Sequence, residues 1–152
     1  MRMRPVLSAG VLAAALLFGG PAMAEQKSAP VEVWKSASCG CCTGWMKHMQ
    51  SAGHPVKANN VALGILARIK RQAGLSSDLQ SCHTAKVGGY VIEGHVPAED
   101  VARLLSEKPD AIGLTVPGMP LGSPGMDFGP DKEPYEVLLV KKDGSTEVFA
   151  RH

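Results

Sequence analysis

Excess charge is the first thing this sequence lacks. Its 152 residues carry 16 Lys and Arg against 14 Asp and Glu. Arg2 and Arg4 are the only charged residues before Glu25, so from there on the two signs balance. A balanced chain has no electrostatic footprint for nucleic acid or a membrane surface. Internal repeats and long runs of one charge are missing as well, which leaves one globular unit as the expectation. No apolar run is long enough to span a bilayer easily, and the best candidate, Val6 to Phe18, falls short. Cysteine is scarce at four residues, yet three of them fall within four positions.

What is present begins with Met1-Arg2-Met3-Arg4, the apolar run, and then Ala22-Met23-Ala24. A basic start, a short apolar stretch and a small-x-small site make residues 1–24 a secretory signal peptide, with no membrane anchor after cleavage. Residues 25–30 read as a flexible lead, and 31–152 as a single domain with one modest core. An exported chain meets an oxidising compartment, where four cysteines can also be two disulfides.

Periodicity and turn signals predict the elements. Val31 to Lys35 reads as a strand. Cys42, Trp45, Met46 and Met49 recur on one helical face, which predicts a helix over about Cys41 to Ala52, stopped by Gly53 and Pro55. Pro55 to Asn60 is a weak second strand. Asn59 or Asn60 can cap a second helix running to about Ala73, with Ala62, Ile65, Leu66, Ile69 and Ala73 as its apolar face. Arg68, Lys70 and Arg71 read as its solvated side. A polar loop, Leu75 to His83, delivers Cys82. Thr84 to Val87 and Tyr90 to Glu93 flank Gly88-Gly89 as a hairpin. Pro97 fits the first position of a third helix, with Glu99 and Asp100 in its first turn, and Pro109 ends it. Leu114 to Pro130 is a long Gly/Pro loop carrying Met119 and Met126, and Tyr135 to Val140 and Ser145 to Ala150 form a last hairpin.

The order β-α-β-α-β-β-α, with cysteines after the first strand, predicts an α/β fold: a thioredoxin/glutaredoxin-like mixed sheet flanked by helices, with an added C-terminal β-hairpin. In that fold the loop entering the third strand, here holding Cys82, lies beside the cysteine turn. A competing register puts Val116-Pro117-Gly118-Met119-Pro120 there instead. The first is preferred because it accounts for Cys82.

The cysteine stretch Cys39-Gly40-Cys41-Cys42 contains a C-x-x-C spacing with an extra cysteine inside it. It sits on a strand-to-helix turn, where free N–H groups and the helix dipole favour thiolate. Soft thiolates select Cu(I), Zn(II) or iron–sulfur clusters. A structural zinc site is usually built from two separated chelating pairs. Adjacent Cys41 and Cys42 suit different ions of a bridged polynuclear cluster better than one small tetrahedral ion, and Cu(I) forms such clusters. Met46 and Met49 read as core packing. Met119 and Met126 stand open between thioether ligands and filler, and His83 between a ligand, a donor to one and a surface residue. His48, His54 and His95 read as ordinary.

Cys39-Gly40-Cys41-Cys42-x-Gly44-Trp45, Ser81-Cys82-His83-Thr84-Ala85, Gly89 to Ala98, and Val116-Pro117-Gly118-Met119-Pro120-x-Gly122-Ser123-Pro124-Gly125-Met126 resemble the CopG family of periplasmic copper-resistance proteins. The resemblance runs from about Val31 to Phe149. It implies a thioredoxin-like fold, a periplasmic location, and Cu(I) held by Cys39, Cys41, Cys42 and Cys82; the surplus of thiolates in the turn adds the expectation of more than one ion per chain. His83, Met119 and Met126 are secondary candidates. The partners it implies are copper ions and other periplasmic copper-handling proteins. No residue is assigned to catalysis of organic chemistry. Redox chemistry on the copper itself is one extension. The competing function is a thiol-disulfide oxidoreductase using Cys39 and Cys42, which leaves Cys41, Cys82 and the methionine loop unexplained. Two structural disulfides rank last, because adjacent cysteines in one turn are poor partners for two unstrained bridges.

Overall fold

The computed structural model describes residues 28–152; the expected leader, 1–24, and residues 25–27 of the lead lie outside the described residues. The elements are β1 (Val31–Lys35), α1 (Gly40–Ser51), β2 (Val56–Asn60), α2 (Leu63–Gln72), a 3₁₀ turn (Ser77–Leu79), β3 (Thr84–Val87), β4 (Tyr90–Glu93), α3 (Ala98–Glu107), β5 (Ala111–Thr115), β6 (Glu136–Lys141) and β7 (Thr146–Arg151). One mixed sheet runs in the order β2-β1-β3-β4-β5-β6-β7. β1 pairs parallel with β2 and antiparallel with β3, and β3 pairs antiparallel with β4. This is the thioredoxin-like arrangement expected from the element order, and the competing register is excluded.

β1 alternates in burial because successive side chains leave opposite faces of a strand. Val31 and Val33 enter the core beside Trp45 and Met49 of α1 and Val101 and Leu104 of α3. The α1 face is the expected one: Cys42, Trp45 and Met49 are buried, and Met46 packs against the core from its edge. The helix gives way at Ala52 and Gly53, whose φ is +89°. α3 begins one residue later than expected, with Pro97 as its cap rather than its first residue, and with Glu99 and Asp100 in the first turn.

α2 departs from expectation in two ways. Asn59 and Asn60 belong to β2, and Asn59 donates to Glu32 rather than capping a helix. The helix follows Ala62, which supplies no side-chain cap. Its buried residues are Leu66 and Lys70, whereas Ile65 is exposed and Ile69 only half-buried. The helix is rolled towards a buried carboxylate, and the lysine expected in solvent faces inward to meet it.

β5 is a strand that the sequence pattern does not predict, and Leu114 and Thr115 of the expected Gly/Pro loop belong to it. It lies parallel to β4, with Leu114 opposite Ile92 and Thr115 opposite Glu93. Its other edge takes β6, so the last hairpin extends the sheet. Tyr135 and His152 exchange backbone hydrogen bonds at 3.0 and 3.1 Å, and His152 Nε2 lies 2.8 Å from Asp100 Oδ2. The chain end is thereby fastened to the start of α3.

Candidate metal centre

β1 runs into the turn Ser36 to Cys39, and α1 starts at Gly40, so Cys39 is the N-cap. Its sulfur accepts the Cys42 N–H at 3.3 Å, a use of a free helix N-terminal donor. Cys41 and Cys42 follow in the first turn. Cys82 arrives on the loop before β3, which β1 brings alongside. The four Sγ atoms all lie within 4.8 Å of one another. Cys82 Sγ is 3.8 Å from Cys41 Sγ and 3.6 Å from Cys42 Sγ, and Cys39 Sγ is 3.5 Å from Cys41 Sγ. Cys39 and Cys42 are joined as a disulfide, while Cys41 and Cys82 are free. The structure therefore represents the half-oxidised form of the set.

His95, read from sequence as ordinary, is part of this centre. It is fully buried, and its Nε2 stands 3.0 Å from Cys82 Sγ. Its Nδ1 lies 2.9 Å from the Pro124 carbonyl, which can only accept, so Nδ1 carries the proton and Nε2 presents its lone pair to the sulfur. Burial lowers its pKa, against the bond to Pro124. His83 is fully buried too, with Nδ1 3.5 Å from Cys82 Sγ. Its Nε2 is the one buried side-chain N or O atom without a hydrogen-bond partner among the described residues. A proton on Nδ1 strands no N–H, so His83 donates to the sulfur while His95 accepts from it. The rings of Trp45, His83 and His95 follow one another at 4.5 and 5.1 Å, and Trp45 donates to the Val96 carbonyl at 2.8 Å.

Burial, then the charge of nearby Cys41, pushes the Cys82 thiol up to about 12. Cys82 stands on the loop before β3 rather than on the helix turn where the sequence favours thiolate, and desolvation governs it. The free thiol therefore keeps its proton at neutral pH, in a bond to His95, until something replaces the proton. Thiolate and imidazole nitrogen are donors that a soft cation prefers, so this set could hold one.

The Gly/Pro loop is a cover for the first turn of α1. A Cβ on Gly125 would stand 2.5 Å from both the Cys41 carbonyl and the Trp45 nitrogen, and one on Gly44 would stand 2.8 Å from the Gly125 Cα. Only two glycines permit this approach, and it carries the Pro124 carbonyl to His95. Met126 is buried in this segment, whereas Met119 is about half exposed. His48 and His54 are structural, as expected: His48 accepts the Ala98 N–H and His54 bonds the Ala29 carbonyl. Among the described residues no helix is long and apolar enough to cross a membrane.

Residues 79–126 match a family described as "Protein of unknown function, DUF411". Two solved structures, of copper resistance protein copG in its form 1 and form 2, align with TM-scores of 0.77 and 0.76. Each is 37% identical, over 82% of this chain and 98% of the other. No curated protein matches significantly.

Proposed function

Given that the chain belongs to the CopG family, we propose that it is an exported copper-resistance protein holding Cu(I) as a polynuclear thiolate cluster on Cys39, Cys41, Cys42 and Cys82. The observation that carries this reading is the mutual approach of the four sulfurs to within 4.8 Å. Cu(I) is satisfied by fewer thiolates than are gathered here, so adjacent Cys41 and Cys42 serve separate ions and share sulfurs between them. His95 adds a nitrogen donor beside Cys82, and His83 orients that sulfur. The half-oxidised form loads after an external dithiol reductant gives two electrons and two protons to the Cys39–Cys42 disulfide, itself ending as a disulfide, and the two thiols formed lose their protons as copper binds. Met119, at the exposed side of the covering loop, is the outer thioether through which copper enters, and Met126 the inner one.

Export is supported by the basic start, the short apolar run and the small-x-small site of residues 1–24, and the resemblance to the family points to the periplasm. The rest acts as one domain, as the continuous seven-stranded sheet supports. Its partners are copper ions and the periplasmic proteins that handle them.

Anaerobic titration of the fully reduced protein against a calibrated Cu(I) chelator tests the proposal. More than one Cu(I) per chain is expected, with most of the affinity lost in Cys82→Ser, and with capacity kept but uptake slowed in Met119→Leu/Met126→Leu. Strict one-to-one binding would remove the cluster, and preference for Zn(II) at equal availability would remove copper.

A second reading, thiol-disulfide exchange at Cys39 and Cys42, is favoured by the disulfide between them, with Cys39 partly exposed and Cys42 buried. It requires no other cysteine. Exchange of the fully reduced protein with glutathione disulfide that is undiminished in Cys41→Ser/Cys82→Ser supports it; loss of exchange in that variant returns the chemistry to the cluster.

A further inference from the structure

Beneath the Cys82 loop lies a buried ion pair that the ligand set does not include. Glu93, the last residue of β4, is fully buried, and its partner Lys70, on α2, is about 5% exposed. Glu93 Oε1 accepts from Lys70 Nζ and, at 2.7 Å, from the Ser81 N–H. Oε2 accepts the Thr84 hydroxyl at 2.7 Å, and Lys70 Nζ also donates to Thr84 Oγ1 at 3.0 Å. A buried pair is expensive to desolvate and is weak evidence of stabilisation by itself. What distinguishes this one is where its remaining bonds go. Ser81 and Thr84 are the residues on either side of Cys82-His83, and one carboxylate holds both.

The following residues complete the arrangement. Gly94, with φ +72°, passes so close to Ser81 and the Val116 carbonyl that a Cβ would stand 2.6 Å from each. Its N–H bonds the His83 carbonyl at 3.0 Å. That tight turn sets His95 Nε2 against the Cys82 sulfur. Lys70 and Cys82 line one groove of about 420 Å³ together with Cys39 and Ser81, so the pair reaches to the edge of the sulfur set.

We infer that the Glu93–Lys70 pair is a positioning device for the metal centre: the carboxylate grips the backbone before Cys82 and the hydroxyl after His83, and so determines where the Cys82 sulfur stands relative to the three on α1. The lysine donates to that carboxylate inside the fold and ties the loop to α2. The inference rests on Cys82 being a ligand, but the placement of its sulfur can be read without copper. Groups that orient metal ligands cost about ten- to a hundredfold in affinity when removed.

Three variants separate grip from charge. Lys70→Met/Glu93→Gln removes both charges and keeps an oxygen for the Ser81 N–H. Lys70→Met/Glu93→Ala removes charge and grip together. Glu93→Asp keeps the ion pair and withdraws the carboxylate by one methylene. In copper-free protein with the Cys39–Cys42 disulfide intact, iodoacetamide labelling of Cys82 relative to Cys41 is followed by mass spectrometry. In loaded protein, Cu(I) release to a chelator is timed. The Gln variant is expected to stay near wild type in both. The Ala and Asp variants are expected to label Cys82 faster and release copper about ten- to a hundredfold faster. Wild-type labelling and release in the Asp variant overturn the inference, as do equal losses in the Gln and Ala variants, which would make charge the whole effect. If the Ala variant does not fold, the Asp and Gln pair decides. If wild-type protein binds no copper, the cluster reading falls and the labelling arm still tests the grip.

Discussion

His83 shows what a single side chain gives up at this centre. It is packed at 4.5 Å on the Trp45 ring, with one ring nitrogen on Cys82 and the other without a partner among the described residues. Burial first, then repulsion from His95 when it too is protonated, and from Lys70 and Lys35, holds its pKa well below the ordinary 6.5. His95 moves the same way, by burial. Both folded values lie below the unfolded one, so below that value the unfolded chain binds more protons than the folded one. Their contribution to stability is complete above about pH 6.5 and is lost as pH falls below it, by up to about 1.4 kcal/mol per pH unit for each histidine. Denaturant unfolding of the copper-free protein over mildly acidic pH reads this slope. His83→Gln is expected to flatten it by about 1.4 kcal/mol per unit, with His95 responsible for a similar share of what remains. Parallel slopes for the two proteins would show that His83 takes up its proton within the fold.

At the scale of elements, the centre is a meeting of α1, the loop before β3, the β4–α3 turn and the covering Gly/Pro loop. The last of these is held most tightly at Gly125, where φ is +87° and backbone of α1 fills the space a Cβ needs. Both obstructing atoms are main chain, so no side chain can swing aside. Gly125→Ala combines strain at positive φ with a backbone collision and is expected to cost about 2–4 kcal/mol. Because the same segment places the Pro124 carbonyl on His95 Nδ1, it should also free that ring. Thermal unfolding and Cu(I) release measured together check this. A cost in stability with copper release unchanged would mean that the loop only shields the site.

The whole molecule is a thioredoxin-like core whose sheet continues through β5 into a hairpin. Val137, Leu139 and Val140 of β6 are buried, the first two in the main core. His152 and Tyr135 tie the chain end to Asp100 of α3, and Arg103 lies over the Phe149 ring at 4.0 Å. Removing residues 135–152 would open one edge of β5 and uncover Leu114 and Val116, making an exposed, apolar strand edge. The truncated protein is expected to lose cooperative unfolding and to associate, as circular dichroism melts and light scattering would show. A monomeric, cooperatively folding 28–134 fragment would make the hairpin dispensable for the fold.

The sequence by itself determined the cysteine turn, the order of elements and the meeting of Cys82 with that turn. The first two rest on short-range chemistry: the helical spacing of Cys42, Trp45 and Met49, the glycine that stops α1, and the two-glycine hairpin that fixes β3 beside β4; the third follows from the fold which that order of elements implies, where β3 lies along β1. Family resemblance added copper to what the residues showed only as a soft-metal site. Tertiary structure alone decided the rest. Lys70 looks like any lysine on a charged helix until a carboxylate 23 residues away turns it inward. His95 is one histidine among five until the Gly94 turn and the Pro124 carbonyl set its tautomer and aim it at sulfur. β5, with a glycine at its centre and prolines close on either side, reads as loop because what makes it a strand is the pairing on both its edges. In each case the deciding energy is a long-range contact that desolvates a group, and local pattern carries no trace of what will be buried against what.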